Sequence, residues 1–177
     1  MKKKIKIKKE YPVPIIKEGS KILFFGEEIP IELTKGKHSR FDGKKVYLPE
    51  SYSNEEKLQV IVKIYKNITK EVCRQKIRIY APLLGLEWVE PKINSARTRW
   101  GSCSSKGTIN FSFRLMMAPE SAIEYVVIHE LLHLKELNHS KDFWELMSEA
   151  MPEYKSQKEE LKLLSKKEIF QEWYFVK

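Results

Sequence analysis

The spacing of apolar residues changes three times along the chain, and each change marks a different kind of element. Over residues 11–48 they fall in short runs (13–16, 22–25, 29–33 and 46–48) punctuated by Gly19, Gly26, Pro30, Gly36 and Gly43. That is the pattern of a small antiparallel sheet with tight turns. Upstream, Lys and Ile alternate through KIKIK, which suits an edge strand with a lysine face or a loose basic arm. The period then lengthens. Leu58, Ile61, Ile64, Tyr65, Ile68 and Val72 recur at helical spacing behind Ser53 and Glu56, a capping box. The helical pattern fades after Lys76 and should stop before Gly85, giving a helical segment over 53–84.

Strand character returns over 92–115, where KINSARTRW and TINFSFRL flank the turn-like GSCSSKG and predict a hairpin. Pro119 opens a second helix at a favoured first-turn position, with Glu120 near its positive end. Ile123, Val126, Val127 and Leu131 carry that helix forward. Ser140 caps a third over 141–150, and a charged helix follows over about 153–167, before an aromatic tail of Phe170, Trp173, Tyr174 and Phe175. The fold class is therefore α+β, in one domain over 1–177: a basic β-rich part at 1–50, helix at 53–84, hairpin at 92–115, and helices over 119–167.

Composition narrows the class. With 42% hydrophobic and 32% charged residues, the 177-residue chain is globular and can bury a core. Its charged N-terminus lacks the apolar run of a signal peptide, and the most apolar stretch, YVVIHELLHL, is too short and polar to cross a bilayer. Two cysteines, Cys73 and Cys103, make no disulfide framework. The expectation is a cytoplasmic protein without a membrane partner. The net charge of +9 is uneven: residues 119–177 hold 8 basic and 12 acidic side chains, the rest 25 and 12. A basic N-terminal part is compatible with nucleic acid, although a lysine-rich solvated surface looks the same in sequence.

The candidate chemistry lies in HELLHLKELNH, which holds three of the four histidines. His129 and His133 are four residues apart, so a helix places both imidazoles on one face, one turn apart. They can then converge on one zinc ion, Zn2+, at about 2.0–2.1 Å. Glu130 points around the helix from His129 and can face the open position of the metal, as the general base on a zinc-bound water. The set fits the H-E-x-x-H pattern of metallopeptidases. A catalytic zinc site needs a third protein ligand. His139 is the candidate, provided the chain turns back between Leu134 and Ser140, with Asn138 suited to a left-handed conformation past the helix end. The H-x3-H-x5-H spacing equals that of the metzincin motif, but Glu136 stands where that motif has glycine, so that family is not assigned. Glu145 or Glu149 on the following helix is the competing third ligand.

HELLHLKELNHSKDFW, preceded by RWGSCSSKGTINFSFRLMMAP, resembles the YgjP-like metallopeptidase domain, a zincin-like family near the SprT-like proteins. The likeness is densest over residues 97–144. It implies that His129, His133 and His139 hold the metal, that Glu130 is catalytic, and that the motif helix packs under a sheet whose edge borders the cleft. An extended peptide or protein substrate could add to such an edge. Arg99 is a candidate for stabilising an oxyanion, while Arg97, Arg99 and Trp100 read equally as strand residues of the hairpin. Cys103 is a weak ligand candidate, and Phe143 and Trp144 should pack the third helix against the site. His38 reads as structural.

Three functions follow. The leading one is a zinc metallopeptidase. A metal-dependent phosphoanhydride or nucleotide hydrolase keeps the same metal and changes the bond, and suits the basic N-terminal part. The third is a basic nucleic-acid-binding protein with an accessory zinc site.

Overall fold

The core grows around one tyrosine. Tyr65 is fully buried, stacks between Phe24 and Phe113 at ring separations of 6.0 Å each, and meets Trp173 edge-on at 5.6 Å. Its hydroxyl donates to the carbonyl of Leu23 at 2.6 Å, which satisfies the one polar atom this ring would otherwise strand in the core. These four rings come from four separate parts of the chain, so they tie an N-terminal sheet, a long helix, a central turn and the C-terminal tail into one unit.

The computed structural model describes residues 13–176, without the side chains of Tyr174 and Phe175. The expected strand or arm at residues 1–10, and those two members of the aromatic tail, lie outside it. Strands β1 (Lys21–Phe24), β2 (Glu27–Thr34), β3 (Arg40–Phe41) and β4 (Val46–Pro49) form a sheet in the order β1-β2-β4-β3. The sheet is mixed, whereas an antiparallel one was expected: β2 and β4 run parallel, joined through the short return strand β3. Helix α1 (Asn54–Leu83) begins with the expected box, in which Ser53 and Glu56 each accept from the other's backbone N–H. It runs past the point where its pattern faded. Leu58, Ile61, Tyr65, Cys73, Ile77 and Ala81 form one buried stripe, each large apolar side chain contributing roughly 1.5–3 kcal/mol.

The expected hairpin at 92–115 is corrected. Strand β5 (Lys92–Asn94) pairs parallel with β7 (Ile109–Ser112), and the hairpin proper joins β7 to β6 (Gly101–Cys103). Residues 95–100 form a loop, so Arg97, Arg99 and Trp100 are not strand residues. The order β5-β7-β6 leaves β6 at an edge. A 3-10 turn, Phe113–Met117, then leads into α2 (Glu120–Leu132).

Helix α2 is apolar on nearly every side and sits at the centre, packed by α1, by α3 (Lys141–Ala150) and α4 (Tyr154–Leu164), and by β6. Pro119 is its cap, one position earlier than expected. The β1–β2 turn closes against it. Phe25 and Gly26 have φ of 50° and 84°, and a Cβ on Gly26 would stand 2.8 Å from the Pro119 ring. No helix among the described residues is long and apolar enough to cross a membrane.

Candidate metal centre

Helix α2 ends where its chemistry begins. His129 lies in its last turn and His133 is its C-terminal cap, so the helix presents the two imidazoles and then stops. The stop does not use Asn138: Phe25 alone among the described non-glycine residues has positive φ. The chain end tightens instead, with the N–H groups of Leu134, Lys135 and Glu136 donating to Leu131 and Leu132 carbonyls. The chain then swings back to the cap of α3, where Ser140 accepts from the Phe143 N–H. That return brings His139 over the helix.

The Nε2 atoms of His129 and His133 are 3.2 Å apart, and those of His139 and His129 2.9 Å. All three donor atoms lie within 4.8 Å of one another. Imidazoles around a tetrahedral zinc at 2.0–2.1 Å would be separated by about 3.3 Å, so the set needs only small adjustments to close on one ion. Tautomers fit as well. His133 Nδ1 lies 2.9 Å from the Glu136 carbonyl and donates to it, which leaves the Nε2 lone pair pointing into the cluster. Burial first, then the neighbouring His133, His139 and Lys158, holds His129 down to about 3. Burial, with His133 and Lys158, also lowers His139. Neutral imidazoles are the form that binds a metal. Buried His129 Nδ1 has no partner among the described residues.

Glu130 is 5% exposed and sits against β6. Gly101 makes that possible, since a Cβ there would stand 2.6 Å from Glu130 Oε1. Burial pushes the carboxyl up to about 7, against the pull of Arg99 and of the Cys103 backbone N–H. Its Oε2 is buried and unpaired among the described residues. A cleft of about 200 Å³ opens here between the loop 95–100, Tyr125, His129, Glu130 and Leu161 of α4. Phe143 wedges under the cluster, 4.7–4.9 Å from each imidazole ring, and Trp144 stacks on His139 at 5.5 Å.

The structure thus brings His129, Glu130, His133 and His139 together. It does not bring the alternatives: Glu145 is exposed and paired with Lys141, Glu149 is exposed on α3, and neither they nor Cys103 fall in the donor cluster. His38 is exposed between β2 and β3. Sequence reasoning missed three residues. Gly101, taken as part of a turn, cradles Glu130. A lone glycine in a strand can signal such a close backbone approach. Tyr125, one turn before His129, walls the cleft, with its phenol pushed up to about 12 by burial and by Glu130 and Tyr154. Lys158 approaches from α4 and carries no local signal.

A convergent triad of imidazoles beside a buried carboxyl on a central helix defines a class, that of metal-dependent hydrolases. The chain belongs to the YgjP-like, metallopeptidase domain family, whose model matches residues 1–163. A curated relative, the UTP pyrophosphatase of Escherichia coli (strain K12), is 32% identical over 87 residues, which are 49% of this chain and 49% of that protein. The chain thus matches about half the length of the relative. No solved structure matches the chain at a significant level.

Proposed function

We propose that the protein hydrolyses a phosphoanhydride bond of a nucleoside triphosphate, with zinc held by His129, His133 and His139 and with Glu130 as general base. The observation that carries this reading is the sign of the surrounding charge. Among the described residues, the formal charges from outside the cluster that act on His129, Glu130 and His139 are those of Arg99 and Lys158, both cations. A triphosphate brings several negative charges into a half-buried cleft, where cations on either side offset their desolvation. A neutral peptide has no such need. The name of the relative, a UTP pyrophosphatase, supports the same choice.

Zinc bound there supplies Lewis acidity, making a water more acidic and polarising a phosphoryl oxygen. Glu130 takes a proton from the attacking water as the water oxygen bonds to phosphorus and the anhydride P–O bond breaks. Glu130 stands beside the three imidazoles, buried against β6, where a carboxylate stripped of water is a stronger base than an exposed one. It then returns the proton to the departing phosphate or to solvent. Arg99, exposed and without an ion pair among the described residues, can follow the charge onto the leaving group.

The peptidase reading retains one observation of its own. Strand β6 is an edge strand bordering Glu130, and such an edge can take an extended peptide by main-chain hydrogen bonds. The test sets both against one preparation. Zinc-loaded protein is assayed on nucleoside triphosphates, with products resolved chromatographically, and on a peptide library. Nucleotide hydrolysis that falls about 10²–10⁴-fold in Glu130→Gln, at unchanged zinc content, is the expected result. Glu130-dependent cleavage of peptides with no turnover of any nucleotide would overturn the proposal.

A further inference from the structure

A second cavity neighbours the metal-side cleft and shares Trp100 with it. It measures about 150 Å³, many times the roughly 10–15 Å³ that one water needs, and so has room for a tetrahedral oxyanion. Its lining holds Arg97, Thr98, Arg99 and Arg114 with Ser112 and Ser165, and no Asp or Glu among the described residues. Trp100 and Phe170, packed at 5.1 Å, both line it. Arg99 and Trp100 line this cavity and the metal-side cleft alike, so the two are neighbours with one arginine between them.

The loop that forms the rim is fixed from below. Arg114 is 1% exposed, and its Nη1 donates to the carbonyls of Ser95 and Ala96 at 3.1 and 3.2 Å. Its Nε and Nη2 reach the Trp173 carbonyl at 3.1 and 2.8 Å, and Nη2 also reaches that of Val176 at 2.6 Å. The Ser112 hydroxyl donates to Ala96 as well, at 2.7 Å. A loop held by this many buried bonds is already ordered before any ligand arrives, which removes an ordering cost from binding. Arg114 and the Ser112 hydroxyl donate to the loop and the tail, and the Ser165 hydroxyl donates to the Lys162 carbonyl. The chemistry that suits phosphate oxygens therefore lies at the rim, in the planar forks of Arg97 and Arg99 and the Thr98 hydroxyl.

We propose that this cavity is an oxyanion subsite that seats a phosphate group of the substrate remote from the bond being cleaved, with Arg97 and Thr98 as its own contacts and Arg99 bridging to the metal side. It rests on the phosphoanhydride reading, and the experiment separates the two. Inorganic pyrophosphate and inorganic phosphate are titrated calorimetrically into the zinc-loaded full chain, and variants are compared at equal zinc content. Arg97→Gln should weaken pyrophosphate at least tenfold, Arg97→Lys should recover most of that loss, and melting temperature reports whether either variant is merely misfolded. Thr98→Glu, at an exposed position where the fold is safe, should weaken pyrophosphate at least as much by placing a carboxylate at the rim. In steady state, Arg97→Gln should raise KM for the triphosphate far more than it lowers kcat. Pyrophosphate binding unchanged in Arg97→Gln and Thr98→Glu overturns the subsite even where nucleotide hydrolysis stands. Absence of pyrophosphate binding by the parent overturns it too. Binding that depends on Arg97 and Thr98, in a protein that turns over no nucleotide, supports the subsite and leaves only the function reading overturned.

Discussion

The two ends of α2 treat buried charge in opposite ways. At its N-terminal end the Lys76 ammonium, from α1, donates to Glu120 at 2.9 Å and to Glu124 at 2.7 Å. Burial works against the Lys76 charge, but the two carboxylates outweigh it and hold its pKa above the ordinary lysine value. At the other end, His129 Nδ1 and Glu130 Oε2 are buried with no hydrogen-bond partner among the described residues, and both groups are driven towards their neutral forms. One helix in one core thus carries a compensated end and an uncompensated one. The first is architecture. The second lowers stability, and a buried polar pair in that state is expected where a ligand or a reaction supplies what the fold withholds.

The hardest blow to the uncompensated end is to remove a donor. His129→Ala or His133→Ala should abolish stoichiometric zinc and lower hydrolysis by about 10³-fold or more, since a catalytic site rarely survives on two protein ligands. Elemental analysis of the purified variants decides it, and one zinc per chain retained in His133→Ala would break the assignment. Next in size is a change that leaves every donor in place. Gly101→Ala puts a methyl where Glu130 Oε1 now lies within 2.6 Å, so the carboxyl must move. A displacement on the order of 1 Å costs roughly 10²-fold in rate. Zinc content should not change. Wild-type kcat in Gly101→Ala would show that the position of Glu130 is not critical.

Those variants also mark what was legible in the sequence. His129, Glu130 and His133 could be placed together because four-residue spacing on a helix fixes their mutual geometry without knowledge of the rest. His139 needed only a turn of six residues. Gly101 was hidden because its strand is three residues long and reads as turn composition, and because its partner is 29 positions away. Lys158 is placed by the packing of α4 on α2, which no local pattern encodes. Strand direction was lost for the same reason. Short runs such as KIN and VYLP say that a strand exists, but parallel pairing of β5 with β7 and of β4 with β2 is decided by neighbours far along the chain. Asn138 failed differently: the preference for a left-handed turn was real, and the 3-10 tightening after Leu132 made it unnecessary.

The asymmetry of the helix can be sharpened by titration of the metal-free protein. Glu130 rises from 4.5 to about 7 on folding, so the folded state binds the extra proton between those values. Stability from this group is therefore highest below pH 4.5, falls as pH rises towards 7, and is lowest above it. His129 falls from 6.5 to about 3, so its contribution is intact above pH 6.5 and is lost as pH falls towards 3. Between pH 4.5 and 6.5 the two slopes oppose each other and the parent should vary little. Glu130→Gln removes one of them. It should stabilise the metal-free protein by roughly 3 kcal/mol more at about pH 8 than at about pH 4, since each tenfold change in proton affinity is worth about 1.36 kcal/mol. Urea unfolding at several pH values measures this. A difference between parent and variant that stays flat with pH would mean that folding does not raise the pKa of Glu130.

The smallest effect belongs to the compensated end, and it tests whether compensation there is complete. Lys76→Met keeps the buried stem and removes the ammonium, leaving Glu120 and Glu124 without their shared partner. Their side chains are 68% and 30% exposed, so water can take over most of what Lys76 gave them. Nothing resembling the roughly 3–5 kcal/mol of a broken fully buried pair should appear. A loss of about 1 kcal/mol is expected, because the desolvation penalty of Lys76 disappears together with its two ion pairs. Zinc affinity and kcat should stay at parental values, since the charge removed lies at the far end of the helix from the site. If Lys76→Met instead changed kcat or the pH profile of Glu130→Gln, the two ends would be electrostatically coupled through α2, and the division between architecture and chemistry along this helix would fail.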